Sequence, residues 1–444
     1  MKSLLADAWV LTMDDAGTEH EDGWILVEDG LVVAVGTGEE PEADERTGLG
    51  GAVVTPGLVN THHHLYQTLT RARAQQATLF EWLVELYPTW ARIDAEAQYA
   101  AARTGIAELM LSGCTTVFDH HYVFPRGRTG LVEAEVQAAS ELGCRLVASR
   151  GSMDLGVSEG GLPPDELVEE IDEILADSAR LAGDLHEPGP GARIQIAVAP
   201  CSPFSVTGRL MSESAELARR LGLQLHTHLA ETVEEEAYCQ ELYGCTPVEY
   251  LDSLGWLDGD VWCAHCVHLA PHEIARFAET RTGVAHCPTS NLRLGAGVAP
   301  VRELLDAGVR VGLGVDGSAS NERSHLFQDV KQALLVARGR GGPKAMTARE
   351  AIRLGTRGGA AVLGRADIGA IAPGLCADLA VWRTDGLELA GAADPVAGLV
   401  FAGADHVDRL YVGGKVVVSG GALARADEAE IARAHRAQAV RFAP

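Results

Sequence analysis

The sequence predicts an α/β protein: a (β/α)8 barrel of eight parallel strands and helices, with a small β-sandwich built from both chain ends. Three observations carry that prediction. From residue 53 onward, short β-branched runs alternate with helix-compatible stretches, the pattern of βα units that pair into a parallel sheet. Eight such runs can be counted, which is the number that closes a barrel. The flanks instead hold short alternating runs punctuated by glycine, such as GWILVEDGLVVAVG and RLYVGGKVVVSGG, the signature of hairpins.

The elements follow in order. Residues 1–57 are assigned to the N-terminal part of the sandwich, beginning with an alternating strand at the N-terminus. The barrel is assigned to 58–366. Its runs are AVVTPGLVN, CTTVFD, CRLVASRGS, RIQIAVAP, LQLHTHLAE, VWCAHCV, GVAHCPTSN and VGLGVDGS. Helix-compatible segments lie at 128–143, 164–182, 207–221, 271–281 and 300–308, with a longer insertion around 65–111. Residues 367–444 return to the sandwich and finish in a terminal helix.

Composition narrows the class. Of 444 residues, 47% are hydrophobic and 22% charged, ordinary for a globular chain with a large core. No membrane span or signal segment is visible, because Asp7 interrupts the first apolar run. A cytoplasmic location is expected. The net charge of −26 argues against a nucleic-acid partner, since such binders concentrate positive charge. A small-molecule substrate is expected instead. Nine cysteines, an odd number set in apolar runs, read as buried thiols and not as a disulfide framework.

The chemistry-bearing pattern is histidine at strand ends. Ten of the 16 histidines (His62, His63, His64, His120, His121, His226, His228, His265, His268 and His286) lie there. The C-terminal strand ends of such a barrel converge on one face, which is where its active sites sit. Side chains two apart on a strand point the same way, so His62 and His64 face the axis together while His63 faces away. Strand 5 adds His228 and Glu231, strand 6 adds His265, and strand 8 adds Asp316. Three imidazoles and a carboxylate with room for water make a catalytic metal site, not a closed structural one. Any one of these histidines alone reads as a core residue; the joint pattern does not. Cys263 and Cys266 form a CxxC without a second pair, and are read as core.

These motifs resemble the amidohydrolase superfamily over essentially the full length: PGLVNTHHH at 56–64, HLAE at 228–231, AHC at 264–266, GVDGS at 314–318, and a C-terminal IG…PG…ADL return. The resemblance implies metal ligands His62, His64, His228 and Asp316, with Asp316 also the general base, Glu231 the proton donor and His265 the group that hydrogen-bonds the attacking water. Binuclear members bridge two ions with a carboxylated lysine or a glutamate at strand 4. This chain has only Lys2, Lys331, Lys344 and Lys415, and none adjoins a barrel strand. One divalent ion is therefore expected, Zn2+ first and Fe2+ second. That subtype is mostly deaminases of amino-substituted heterocycles.

Within that branch, Gln67 stands where a glutamine contacts the base in purine deaminases, although alone it reads equally as an exposed glutamine at a helix start. Cys201-Ser202-Pro203-Phe204 departs from the Arg-Phe of guanine deaminases and the histidine of adenosyl-type deaminases. The first choice is deamination of 8-oxoguanine to urate; hydroxytriazine, guanine and isoxanthopterin are alternatives, and a non-catalytic binding protein of the same fold is the remote one. Arg150, Cys201 and Trp90 are further candidate substrate contacts, with Ser152 and Trp82 beside them; His120 and His121 are read as orienting or packing groups. The resemblance also implies a homo-oligomer.

Overall fold

The computed structural model describes residues 1–443. Eight parallel strands close into a barrel in chain order: Leu58–Asn60, Cys114–Asp119, Arg145–Ser152, Ile194–Pro200, Gln224–Leu229, Val261–His265, Gly283–His286 and Val311–Leu313. The last pairs with the first through Leu313 and Asn60. The alternation of β-branched runs and helical segments thus closes as expected. Side chains from successive strands, including Val59, Phe118, Val147, Ala197, Trp262 and Ala285, pack inside as one cluster.

Two expected boundaries move. The run AVVTPGLVN is not one strand: Glu45–Pro56 belongs to the sheet of the chain ends, and only Leu58–Asn60 enters the barrel. Gly57 makes the crossing, and a Cβ there would fall 2.2 Å from Thr115, so only glycine fits. The helix expected over 164–182 forms as Ile171–Leu185, after a short 3-10 turn at Asp165–Leu167, because Glu169 is drawn aside: its N–H donates to the Met153 carbonyl and its carboxylate accepts from Arg150. The insertion becomes a 3-10 turn at Leu65–Thr70 and helices at Leu79–Trp90 and Ala95–Leu111.

The chain ends meet in one continuous eight-stranded sheet, the form taken here by the expected sandwich. At its centre Glu45–Pro56 pairs parallel with Lys2–Leu11 and antiparallel with Leu379–Trp382. A core of Leu5, Val10, Ile25, Val54, Leu379 and Val381 covers one face. A buried ion pair fastens this sheet to the barrel: the Arg145 guanidinium donates to both oxygens of Asp378 at 2.7 and 3.1 Å, and to the carbonyls of Gly191 and Ala192. Glu428–Ala439 forms the terminal helix. All nine cysteines are free, and Cys263 and Cys266 are buried. No described helix is long and apolar enough to cross a membrane.

Candidate active site

The barrel strand ends bring His62, His64, His228, His265 and Asp316 together, all at most 8% exposed. Backbone bonds set their positions. Asp316 N–H donates to the His62 carbonyl at 3.1 Å, while Asn60 crosses between the same strands, donating to the His62 carbonyl and accepting from Val315 N–H. Asp316 and His265 sit at φ 65 and 70, in the left-handed region that non-glycine residues enter at a cost of about 1–3 kcal/mol. The surrounding bonds hold them there, which aims both side chains into the barrel mouth.

Hydrogen-bond partners assign the histidine tautomers. His64 and His228 each donate from Nδ1 to a backbone carbonyl at 2.7 Å, that of His120 and that of Cys201 respectively. His62 is set at one remove. His226 Nδ1 donates to the Trp262 carbonyl at 2.9 Å, so His226 Nε2 accepts from His62 Nδ1 at 3.0 Å. All three Nε2 atoms therefore present lone pairs inward.

Those lone pairs crowd one another. His64 Nε2 and His228 Nε2 are 3.1 Å apart, and His62 Nε2 and His64 Nε2 lie 3.4 and 3.3 Å from Asp316 Oδ1. His62 Nε2 is buried with no hydrogen-bond partner. Acceptors held this close without a proton between them repel, so the donor set fits a cation, and three imidazoles with one carboxylate suit an ion such as zinc. Burial and the neighbouring imidazoles push His64 and His228 well below the usual histidine range, leaving them neutral as a ligand set requires.

The carboxyls divide in the opposite sense. Burial alone would raise Asp316, but positive charge at the facing positions of His62, His265 and His64 overcomes it and holds the group well below the ordinary range, and with the ligand imidazoles neutral that charge is what a bound cation would supply. Its Oδ2 accepts from Ser290 Oγ at 2.6 Å and Ser320 Oγ at 3.3 Å. Glu231 is pushed well up, first by burial and then by the Asp316 charge. His265 bridges them: its Nε2 lies 3.5 Å from Glu231 Oε2 and 3.9 Å from Asp316 Oδ2, and its Nδ1 bonds Asn291 Oδ1 at 2.8 Å. Glu235 accepts from the backbone N–H groups of Ala230 and Glu231, both at 2.9 Å, and so fixes the Glu231 turn.

In front of this group opens a narrow pocket, lined by the titratable residues and by Leu79, Trp82, Leu83, Tyr87, Phe204 and Leu294. An apolar wall with a few convergent polar groups is the usual form of a small-molecule site. Gln67 and Cys201 line it. The buried Gln67 Oε1 has no partner in the protein, and burial pushes the Cys201 thiol up to about 12.

Two expected contacts are displaced. Arg150 does not line the pocket: its guanidinium is engaged by Glu169, Asp177 and the Gly151 carbonyl and lies over the Phe124 ring. Strand alternation turns it outward to the helices, where the acidic partners reside. Trp90 is packed behind Trp82, its indole N–H donating to Thr70 Oγ1; Trp82, earlier on the same helix Leu79–Trp90, forms the wall. Ser152 is buried away from the pocket.

His120 stacks on the His228 ring at 4.8 Å while His265 stacks at 5.5 Å, so His120 packs and orients. His226, Ser290, Asn291 and Glu235 were not singled out as orienting residues from the sequence. The HxH spacing at 226 and 228 was a usable signal for the first of them. The other three carry no spacing pattern.

The fold and site have counterparts among known proteins. The chain is 48% identical over 422 residues to the 8-oxoguanine deaminase of Pseudomonas aeruginosa, covering 94% of each chain. It is 41% identical over 388 residues to an isoxanthopterin deaminase from an unknown prokaryotic organism, covering 82% of this chain and 80% of that one. Among solved structures, atrazine chlorohydrolase from Arthrobacter aurescens TC1, complexed with zinc, superposes with a TM-score of 0.94 at 35% identity, covering 98% of this chain and 100% of that one. With the model of the Amidohydrolase family matching residues 53–417, the chain belongs to that family and is a metal-dependent hydrolase acting on carbon–nitrogen bonds.

Proposed function

We propose that the protein hydrolytically deaminates an oxidised purine, converting 8-oxoguanine and water to urate and ammonia, at one zinc ion held by His62, His64, His228 and Asp316. A single ion is supported by the absence of lysine and acidic side chains from the strand Ile194–Pro200. When bound, the ion supplies Lewis acidity that makes water nucleophilic near neutral pH.

The observation that carries the reaction type is the pair of carboxyls with opposed proton affinities on one pocket, the arrangement that separates base from acid. Asp316 Oδ2, an anion on the pocket side, takes the proton from the attacking water and later delivers it to the leaving amine. Glu231 enters protonated and donates from its carboxyl to the ring nitrogen beside the attacked carbon, so negative charge never accumulates on the heterocycle; as the carbon–nitrogen bond breaks and the carbonyl forms, the proton left on the adduct's hydroxyl passes by way of His265 Nε2 to Glu231, 3.5 Å away, which resets the acid. His265 accepts a hydrogen bond from the water at Nε2, because Nδ1 is spent on Asn291. Gln67, with its unmatched Oε1, reads an N–H on the substrate edge, and Trp82 and Leu83 cover the flat face and exclude water.

The choice of heterocycle rests on the 48% identical relative. A hydroxytriazine aminohydrolase is the second reading, supported by 38% identity over 449 residues to the hydroxydechloroatrazine ethylaminohydrolase of Pseudomonas sp. strain ADP. Ammonia release measured across 8-oxoguanine, guanine, isoxanthopterin, hydroxytriazines and adenosine derivatives tests both. The highest kcat/KM is expected for 8-oxoguanine; preference for a hydroxytriazine moves the assignment to the second reading, and preference for an adenosine derivative overturns both.

A further inference from the structure

Between the C-terminal end of the second barrel strand and the helix that follows it lies a group of polar side chains that the proposed reaction does not use. Asp119, His121 and Glu135 are each fully buried, and one donor atom from each falls within 4.8 Å of the others. Asp119 ends the strand Cys114–Asp119, His121 follows it, and Glu135 comes from the helix Leu131–Leu142. His121 Nε2 donates to the Val123 carbonyl at 2.9 Å, which leaves Nδ1 as a lone pair 3.2 Å from Glu135 Oε1. Gln98 donates to that same Oε1 at 2.6 Å. Asp119 Oδ2 and Glu135 Oε2 have no donor at all.

Two carboxylates and an imidazole lone pair cannot be gathered in a dry interior uncompensated. The simplest cation that satisfies them is a proton. Burial holds both carboxyls up, Glu135 to about 8 and Asp119 well above its usual range, so the pair stays protonated at neutral pH and titrates as a unit.

The other oxygen of Asp119 has a defined task. Oδ1 accepts from Leu65 N–H at 2.6 Å, the peptide immediately after His64. Two further bonds join the same strand ends: His120 N–H to the His63 carbonyl and His64 Nδ1–H to the His120 carbonyl, both at 2.7 Å. Asp119 thus anchors the turn that aims His64 inward and starts the short helix bearing Gln67.

We propose that Asp119, bonded to the peptide after His64 and backed by Glu135, is a positioning residue that, with Glu135, holds the His62-x-His64 pair in its metal-binding geometry. This rests on the ligand set proposed above. Partners that orient ligands typically change metal affinity by ~10–100-fold when lost.

The test is zinc affinity, measured by competition with a chromogenic chelator on the purified chain, with Tm recorded in parallel. Wild type should bind one zinc. Asp119→Ala, which removes the acceptor of Leu65 N–H, should bind it ~10-fold or more weakly, and Glu135→Leu should be weakened in the same direction. Glu135→Gln and Asp119→Asn each keep the shape and place an amide N–H where a protonated carboxyl would donate, and should keep near-wild-type affinity. A role in stability alone would lower Tm in the first two variants without moving the affinity, which overturns the proposal. Two zinc ions in wild type, one of them lost in Glu135→Gln, would overturn it in favour of a second metal site. Failure of wild type to bind zinc would instead count against the proposed ligand set.

Discussion

At Asp316 one side chain serves two purposes through its two oxygens. Oδ1 faces the Nε2 atoms of His62 and His64, while Oδ2 is held by Ser290 and Ser320 toward His265. Asp316→Asn keeps the shape and one acceptor but removes the base, so folding with loss of turnover is expected; Tm and ammonia release measure the two separately, and near-normal turnover would sink the assignment. Glu231→Gln should lower kcat by ~10²–10⁴ with zinc content retained, because Glu231 is the proton donor and not a ligand. The convergence of His62, His64, His228 and Asp316 could be read from the sequence because strand alternation and strand-end position together determine direction. Arg150 and Trp90 could not be placed that way. Where a long side chain ends depends on partners from other helices, here Glu169, Asp177 and Thr70, which no local spacing reveals.

Elements deliver these groups in pairs. The short helix Pro288–Arg293 carries both Ser290 and Asn291, so one turn orients Asp316 and His265 together. On the opposite side, Leu65–Thr70 carries Gln67 against Gly317, where a Cβ would fall 1.9 Å from Gln67 Oε1. Gly317→Ala should therefore displace the glutamine amide and raise KM more than it lowers kcat, with only a small fall in Tm; steady-state kinetics check this, and an unchanged KM would remove Gln67 from the substrate contacts. Barrel strands and most helices were legible because apolar periodicity is local. The break within AVVTPGLVN was not, since the division at Gly57 answers to Thr115 and Asp378 across the molecule.

For the whole molecule, buried acids set a pH dependence. Burial raises Asp329 from 3.8 to about 7 and Glu235 from 4.5 to about 7. Between those limits the folded chain binds protons that the unfolded chain has released, so this contribution is complete below pH ~4 and is lost as pH rises through ~7. Salt-bridged carboxylates such as Glu19 and Asp394, whose affinities are lowered, are already ionised in both states across the upper part of this range and do not offset it. Buried histidines held below their usual range, such as His265 at about 4 and His286 at about 3, oppose this below pH ~6.5, so the decline in Tm of the metal-free protein is expected from pH 7 to pH 8.5, where Glu135, raised to about 8, still gives up its proton; a Tm that rises across that interval would contradict the protonated state of these acids.

The sheet of the chain ends also has a consequence for synthesis. Glu45–Pro56 finds one neighbour in Lys2–Leu11, but its other neighbour, Leu379–Trp382, leaves the ribosome more than 300 residues later. At ~5–20 residues per second, the nascent chain carries an open strand edge next to an incomplete barrel for some tens of seconds. Such an edge is a template for pairing with other chains, so yield during rapid expression should be limited by translation and chaperone supply, not by the stability of the finished fold.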